Sequence, residues 1–440
     1  MQNLVKLLLV VFTFKFSIAV AEHDLKMCIF AALATNAEIQ KARADFAAYK
    51  EIETQTFATL LPSVDVSVSR TTVNQERTDG SGLELDQNYV TESDNISLRQ
   101  PVYRPKLLRD YEKVKKEILA ERLSLANKED KLKMKVSETY FNLLRAYEEE
   151  VLIEKKITLL NIQKEAATKS IEAGTGTITE LAEINAANDK AVADQIRATQ
   201  DVRIQLNELN FFTGDKIKKV KTLNGGSHDF KQFEKQPISY WESKAISDNF
   251  ELQSKREKIA AARIALSSEK LTRYPIVDLN AQVARGSSES TFFVDSETKT
   301  SSLGLTFSMP LYRGGSISSR IRQAASMLDA EIEGLRFQEE DLRKKVQKAY
   351  YGMQESIKLS DALKSAIRSA MTELESNQKS ASAGIRNQLD VLISQQKALG
   401  VERELVDSKL NTMAFWLTLN SLAGSLDKTT LEVLDNFFIH

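Results

Sequence analysis

Leu303, Leu305, Phe307 and Met309 alternate with Gly304, Thr306 and Ser308, the two-residue period of a strand with one apolar face. Pro310 and the adjacent Gly314 and Gly315 end that pattern, and from Ser316 onward the apolar positions take the period of one very long helix. The stretch NISLRQPVYRP, residues 95–105, makes the same change at Pro101 and Pro105, and Pro101 lies 209 positions before Pro310. Two more alternating stretches precede these. Val64, Val66 and Val68 interleave with Asp65, Ser67 and Ser69, and Leu279, Ala281 and Val283 interleave with Asp278, Asn280 and Gln282. The predicted strands are therefore 64–73, 94–102, 276–285 and 301–309, each near the ~9 to 11 residues with which a tilted strand crosses a bilayer.

These elements belong to an internal repeat. LLPSVDVSV (60–68) matches RYPIVDLNA (273–281), placing Pro62 on Pro275 and Asp65 on Asp278 at an offset of 213. RQPVYR matches SMPLYR, placing Tyr103 on Tyr312 and Arg104 on Arg313 at 209, while Gly174 falls on Gly384 and LNFFTG (209–214) on LNSLAG (419–424) at 210. Each unit reads as a helix of about 40 residues ending at a Pro, two strands, a helix of about 65 to 70 residues, a glycine, and a closing helix of about 35. The expected organisation is a signal peptide at 1–21, a first repeat at 22–214, a linker at 215–240, a second repeat at 241–424 and a C-terminal tail at 425–440.

The long helix expected from 106 to 173 would measure roughly 100 Å at 1.5 Å per residue, so it must pack along its length on other helices. Leu132, Val136, Tyr140, Leu143 and Tyr147 supply an apolar stripe, as do Ile321, Leu328, Ile332, Leu335, Leu342 and Val346. Glu112 with Lys116, Glu129 with Lys133, Glu339 with Arg343 and Glu340 with Lys344 have the four-residue spacing of solvated surface pairs.

Lys6, the apolar run LLLVVFTF and the small residues Ala19, Val20 and Ala21 read as an export signal cleaved before Glu22. Beyond it no segment approaches the ~20 consecutive apolar residues of a membrane helix, so an exported chain would cross a membrane as strands or not at all. Four strands cannot close a barrel, because about eight is the smallest workable number. Copies must then pool them, and three copies would supply 12. Cys28 stands alone, which excludes an intrachain disulfide, and it reads as a small buried residue.

Composition narrows the function further. The 60 basic and 61 acidic residues nearly cancel and give no reason to expect nucleic acid. His23, His228 and His440 are scattered, with no metal-ligand spacing, no phosphate loop and no nucleophile elbow, so neither enzyme nor cofactor is expected. An exported coiled-coil scaffold without channel activity is the competing reading.

The motifs LLPSVDVSVSR, QPVYR, AGTGTITELAEINAA, LNFFTG, FSMPLYRGGSISSRIRQA, AGIRNQLDVLISQQKAL and LNSLAG, in that order over nearly the whole chain after residue 21, resemble the TolC family of bacterial outer membrane factors. The resemblance implies an α+β membrane protein: a homotrimer whose 12-stranded outer membrane barrel continues into a long periplasmic barrel of helices. It further implies a passive exit duct for drugs, small molecules or polypeptides. Its partners would be outer membrane lipid, a periplasmic adaptor and an inner membrane transporter of the ABC, RND or MFS type. Site residues carry over at the two helix turns, beyond Gly174 and Gly384. Arg386 with Thr179 and Glu180 resembles the family's entrance latch, and Asp390 its acidic pore ring. Ile393 replaces a second acidic position and Ala381 a closing tyrosine, which implies a single ring and a looser latch.

Overall fold

The computed structural model describes residues 23–78, 80–214, 216–223, 230–290 and 293–438; the expected signal peptide and parts of the linker and tail lie outside them. Helices α1 (Leu25–Thr35) and α2 (Ala37–Ala58) lead into strands β1 (Ser63–Thr78) and β2 (Glu84–Tyr103), followed by α3 (Pro105–Glu172) and α4 (Ile178–Thr213). The second unit repeats the order with α5 (Ile238–Asp248), α6 (Phe250–Leu271), β3 (Ile276–Ser290), β4 (Phe293–Ser308), α7 (Ser316–Ser382) and α8 (Gln388–Leu422), and α9 (Lys428–Asp435) ends the described chain.

The strands form one antiparallel sheet in the order β1-β2-β3-β4, so β1 and β4 are open edges. Its register aligns Val64 with Leu98, Leu98 with Ala281 and Ala281 with Leu303, and likewise Val66 with Ile96 and Ile96 with Val283. Because successive side chains alternate faces, these rows collect the apolar residues on one face and leave Asp65, Ser97, Gln282 and Ser302 on the other. The apolar face is bare in the single chain: Val66 is 70% exposed and Leu303 76%.

The strands are longer than expected, at 16, 20, 15 and 16 residues. Their outer halves lack an apolar face. There the same side carries the ion pairs Arg70–Glu92 (3.5 Å) and Arg285–Glu297 (2.8 Å), so the sheet continues past its apolar band as a polar extension. Pro101 does not end β2 but lies among its last residues, where the pairing with β3 shifts register and a proline is tolerated. Pro105 opens α3 at its first turn, where a missing N–H is also harmless. On the other side Pro310 follows the end of β4, and Gly315, at φ +79°, caps the start of α7.

The long helices are unbroken, at 68 residues for α3 and 67 for α7. The helices of about 40 residues are not: each splits at an asparagine. Asn36 separates α1 from α2 and accepts hydrogen bonds from the amides of Glu38 and Ile39; Asn249 separates α5 from α6 and accepts from Glu251 and Leu252. Each asparagine also donates to the end of its unit's closing helix, Asn36 to the Phe212 carbonyl (3.3 Å) and Asn249 to that of Leu422 (3.0 Å). The glycine of the LN…G motif faces this break. A Cβ on Gly424 would lie 2.4 Å from the Asp248 carbonyl oxygen, which excludes any larger residue.

Near the sheet the helices lie in the order α2-α3-α6-α7, and toward the far end in the order α4-α3-α8-α7. The helices of the single chain thus form an open layer at both ends. The stripe on α3 is buried as expected at Leu132, Val136, Tyr140 and Leu143, whereas Ile332 near the start of α7 is 38% exposed. The four expected surface pairs do not form: Glu112 and Glu340 meet Arg109 and Arg336 of their own helices, and neighbouring helices compete for the other charges. Lys116 bonds Glu257 (3.0 Å), Arg43 bonds Glu129 (2.7 Å) and Arg256 meets Glu339 (3.3 Å), tying α2, α3, α6 and α7 together.

Midway along α3 the layer thickens into a belt. Leu25, Cys28 and Ile29 of α1, Ile217 and Val220 of the linker, Tyr140 and Phe141 of α3, and Leu434 and Phe438 at the C-terminal end share one core. His23 pairs with Val220 and Leu223 with Phe438 in two β-bridges. The segments expected as linker and tail are therefore parts of the main core. At its rim the Asp435 carboxyl is pushed up to about 6, chiefly by burial and then by Asp24, against the opposing pull of Lys26 and Lys221. The native state accordingly binds this proton more tightly than the unfolded chain, and belt stability falls as pH rises from about 4 through about 6. Asp435→Asn is expected to flatten that pH dependence in thermal melts of the extracted protein and to raise the melting temperature at pH 7.

Candidate functional site at the helix turns

The two long hairpins end in matching turns. At the first, Gly174 adopts φ +76° just beyond α3, and the amides of Thr175 and Gly176 both donate to the Ser170 carbonyl at 2.9 Å. At the second, Gly384 adopts φ +73° beyond α7, and Ile385 (2.9 Å) and Arg386 (3.3 Å) donate to the Ser380 carbonyl. Both are left-handed helix terminations, in which glycine carries no steric cost. Each turn then starts its closing helix with a side-chain cap. The Thr177 hydroxyl accepts from the Glu180 amide (3.2 Å) and Asn387 Oδ1 from the Asp390 amide (2.9 Å).

These caps place Glu180 and Asp390 at the same position in the first turns of α4 and α8, where the helix dipole favours a carboxylate. Their side chains diverge. Glu180 does not fold back on its own helix; its Oε1 accepts the Gln388 amide of α8 at 2.6 Å, across a sequence separation of 208 residues. One unit's carboxylate thereby caps the helix of the other. Asp390 stays beside its own turn, its side chain 39% exposed, with Arg386 Nη1 at 3.9 Å.

The structure thus brings Glu180 to the second turn, though to a backbone amide of Gln388 and not to the Arg386 guanidinium. Arg386 pairs within its own turn, and Thr179 is exposed. Thr177, Asn387 and Gln388 are the participants that sequence reasoning missed. The first two were signalled by the capping patterns TITE (177–180) and NQLD (387–390). Gln388 contributes only its backbone and carries no such signal.

The turns are held by a small core of Leu160, Ala167, Ile184, Ala191 and Leu392. Within it Gln163 Nε2 donates to Gln395 Oε1 at 2.8 Å, a buried amide pair linking α3 to α8. At the tips Ile178 and Ile385 are 80% and 79% exposed, and Ile393 one turn beyond Asp390 is 57% exposed. Exposed apolar side chains and the Asp390–Arg386 pair therefore share one end of the molecule.

A sequence profile of the family described as "Outer membrane efflux protein" matches residues 29–215 and 241–425. The alkaline protease secretion protein AprF of Pseudomonas aeruginosa is 26% identical over 414 residues, which is 93% of this chain and 86% of that protein. The outer membrane protein TolC of Escherichia coli is 24% identical over 413 residues, 91% of this chain and 82% of that one. Among solved structures, the outer membrane protein VceC from Vibrio cholerae superposes with a TM-score of 0.78 at 15% identity, covering 92% of this chain and 97% of that one.

Removal of the Glu180 carboxylate leaves the Gln388 amide without its 2.6 Å acceptor. Glu180→Ala is expected to speed hydrogen exchange at the start of α8 severalfold, and to leave exchange in the belt around Tyr140 unchanged.

Proposed function

The chain belongs to the outer membrane efflux protein family, and from that premise we propose that it is the outer membrane exit duct of a tripartite export system, passive and without a catalytic step. It resides in the outer membrane and reaches into the periplasm. The observation that carries this reading is the four-stranded sheet, apolar on one face and polar on the other, with open edges at β1 and β4. In hydrocarbon each unpaired backbone group costs several kcal/mol, so the edges must be closed by other copies. Three copies give a barrel of 12 strands with room for water, and the open helical layer closes in the same operation. Membrane exposure explains the bare apolar face better than an exported scaffold does, since such a surface would associate in water.

Across the periplasm, α3 and α7 extend roughly 100 Å to the glycine turns. We assign the duct's entrance to this end. Asp390 lines its narrowest part, Arg386 with Thr179 and Glu180 restrains its opening, and the exposed Ile178 and Ile385 offer a periplasmic adaptor an apolar landing surface. The inner membrane transporter behind the adaptor selects the cargo. The Glu180 cap on α8 supports the restraint, because it fastens one hairpin tip to the other.

Three Asp390 carboxylates around a narrow lumen attract cations and repel anions, and the nearby Arg386 offsets part of that field. In planar-bilayer recordings of the extracted oligomer, Asp390→Ala is expected to lose cation selectivity. Arg386→Ala is expected to conduct better and to be at least as cation-selective. Insertion with selectivity unchanged by Asp390→Ala removes that residue from the constriction, and a protein that stays water-soluble and never inserts removes the channel.

A further inference from the structure

Where the sheet meets the helices, one carboxylate is held by two guanidinium groups. Asp278, near the start of β3, accepts from Arg104 Nε at 2.7 Å and from Arg99 Nη2 at 3.0 Å, with only 8% of its side chain exposed. Arg104 is the residue from which α3 starts, so this cluster fastens the end of β2 and the head of α3 to the neighbouring strand. Beside it Lys106 bonds Ser268 and Glu269 at 3.0 Å each, continuing the attachment from α3 to α6.

The repeat contains both halves of this contact a second time. Asp65 stands in Pro-x-Val-Asp as Asp278 does, and Arg313 follows Pro-Leu-Tyr as Arg104 follows Pro-Val-Tyr. Within the chain, however, Asp65 lies on the outer strand β1 and Arg313 follows the opposite outer strand β4. Both are exposed, and neither has an ion pair among the described residues. The contact between β2 and β3 has its counterpart in β4 against a β1 that this chain cannot supply. The strand directions agree, because β1 and β4 are antiparallel in the alternating sheet and the pairing continues with the same sense into another copy. The helices concur: α3 on α6 is matched by α7 on the α2 of a second copy, and the start of α7 is the bare end of its apolar stripe.

We propose that Asp65 of one copy and Arg313 of the next form the ion pair that fastens copy to copy at the strand–helix junction, reproducing between chains the Asp278–Arg104 contact within a chain. This rests on the closed three-copy ring proposed above. Ser308 takes the place of Arg99 in the second unit, so the seam between copies has one guanidinium where the internal junction has two. Head and tail of the assembly contact are thus different residues on opposite edges of the chain, and the contact propagates in one direction until the ring closes.

The test uses the full-length protein in a Cys28→Ala background, with Asp65→Cys and Arg313→Cys carried on separately tagged, coexpressed chains and treated with a short bismaleimide. A mixed-tag dimer band is expected, with no such band for Asp65→Cys paired with Asp278→Cys. In parallel, Asp65→Arg and Arg313→Asp should each at least halve the three-chain particle surviving mild detergent heating, and the double swap should regain most of it. A three-chain particle that gives no mixed-tag band, and whose charge reversals are not rescued by the swap, overturns the pair and leaves the ring standing. A wild-type protein that never yields a three-chain particle by native mass measurement overturns the ring, and the pair with it.

Discussion

Backbone N–H and C=O groups cannot be left unpaired in hydrocarbon, and this constraint orders the whole molecule. The sheet has four strands and two edges, a number that neither closes on itself nor is stable in lipid as it stands. Everything below the sheet inherits its incompleteness. Each strand pair hands over to a long helix, so the helices form an open layer with the same unpaired flanks, and the apolar stripe on α7 is left partly bare where that on α3 is covered. One chain is best described as a sector of a tube.

The repeat makes this arrangement economical. Two units of the same plan provide both contacts within a chain and, by the same geometry, contacts between chains. The twin asparagines illustrate how closely the units correspond: Asn36 and Asn249 each cap a helix and each reach the last turn of their own closing helix, and beside them Gln40 and Gln253, like Arg43 and Arg256, donate to matching carbonyls across the break. Departures from the correspondence are then informative. Glu180 crosses to the other hairpin while Asp390 does not, which leaves one carboxylate consumed by a cap and the other facing solvent beside Arg386.

What the sequence made legible was whatever has a period or a punctuation mark. Alternation located the four strands, the three-and-four spacing located the buried face of α3, and Gly174 and Gly384 located the turns, because a left-handed helix end calls for a residue without a side chain. The outer halves of the strands were missed because residues such as those from Asn74 to Thr78 are polar without exception and alternate in nothing. The breaks at Asn36 and Asn249 were missed because neither proline nor glycine marks them, and a capping asparagine is readable only once its helix is known to begin there. Ion pairing was misassigned for a different reason. Spacing along one helix identifies a possible partner, yet Lys116 and Glu129 had better-placed partners on adjacent helices. The Glu180 contact was beyond reach altogether, since it joins a side chain to a backbone amide in the other unit.

The belt carries an implication for how the chain matures. Its core draws on α1 at the start of the described chain, on the linker between the units and on Phe438 near the end, and Leu223 completes a bridge only when Phe438 is beside it. These pieces lie at three widely separated places in the sequence, so the belt rests on long-range contacts. The two hairpins can coil on contacts of their own, but the waist stays unsealed until Phe438 packs beside Leu223. Loss of Phe438 alone would therefore open the aromatic waist while leaving both hairpins coiled.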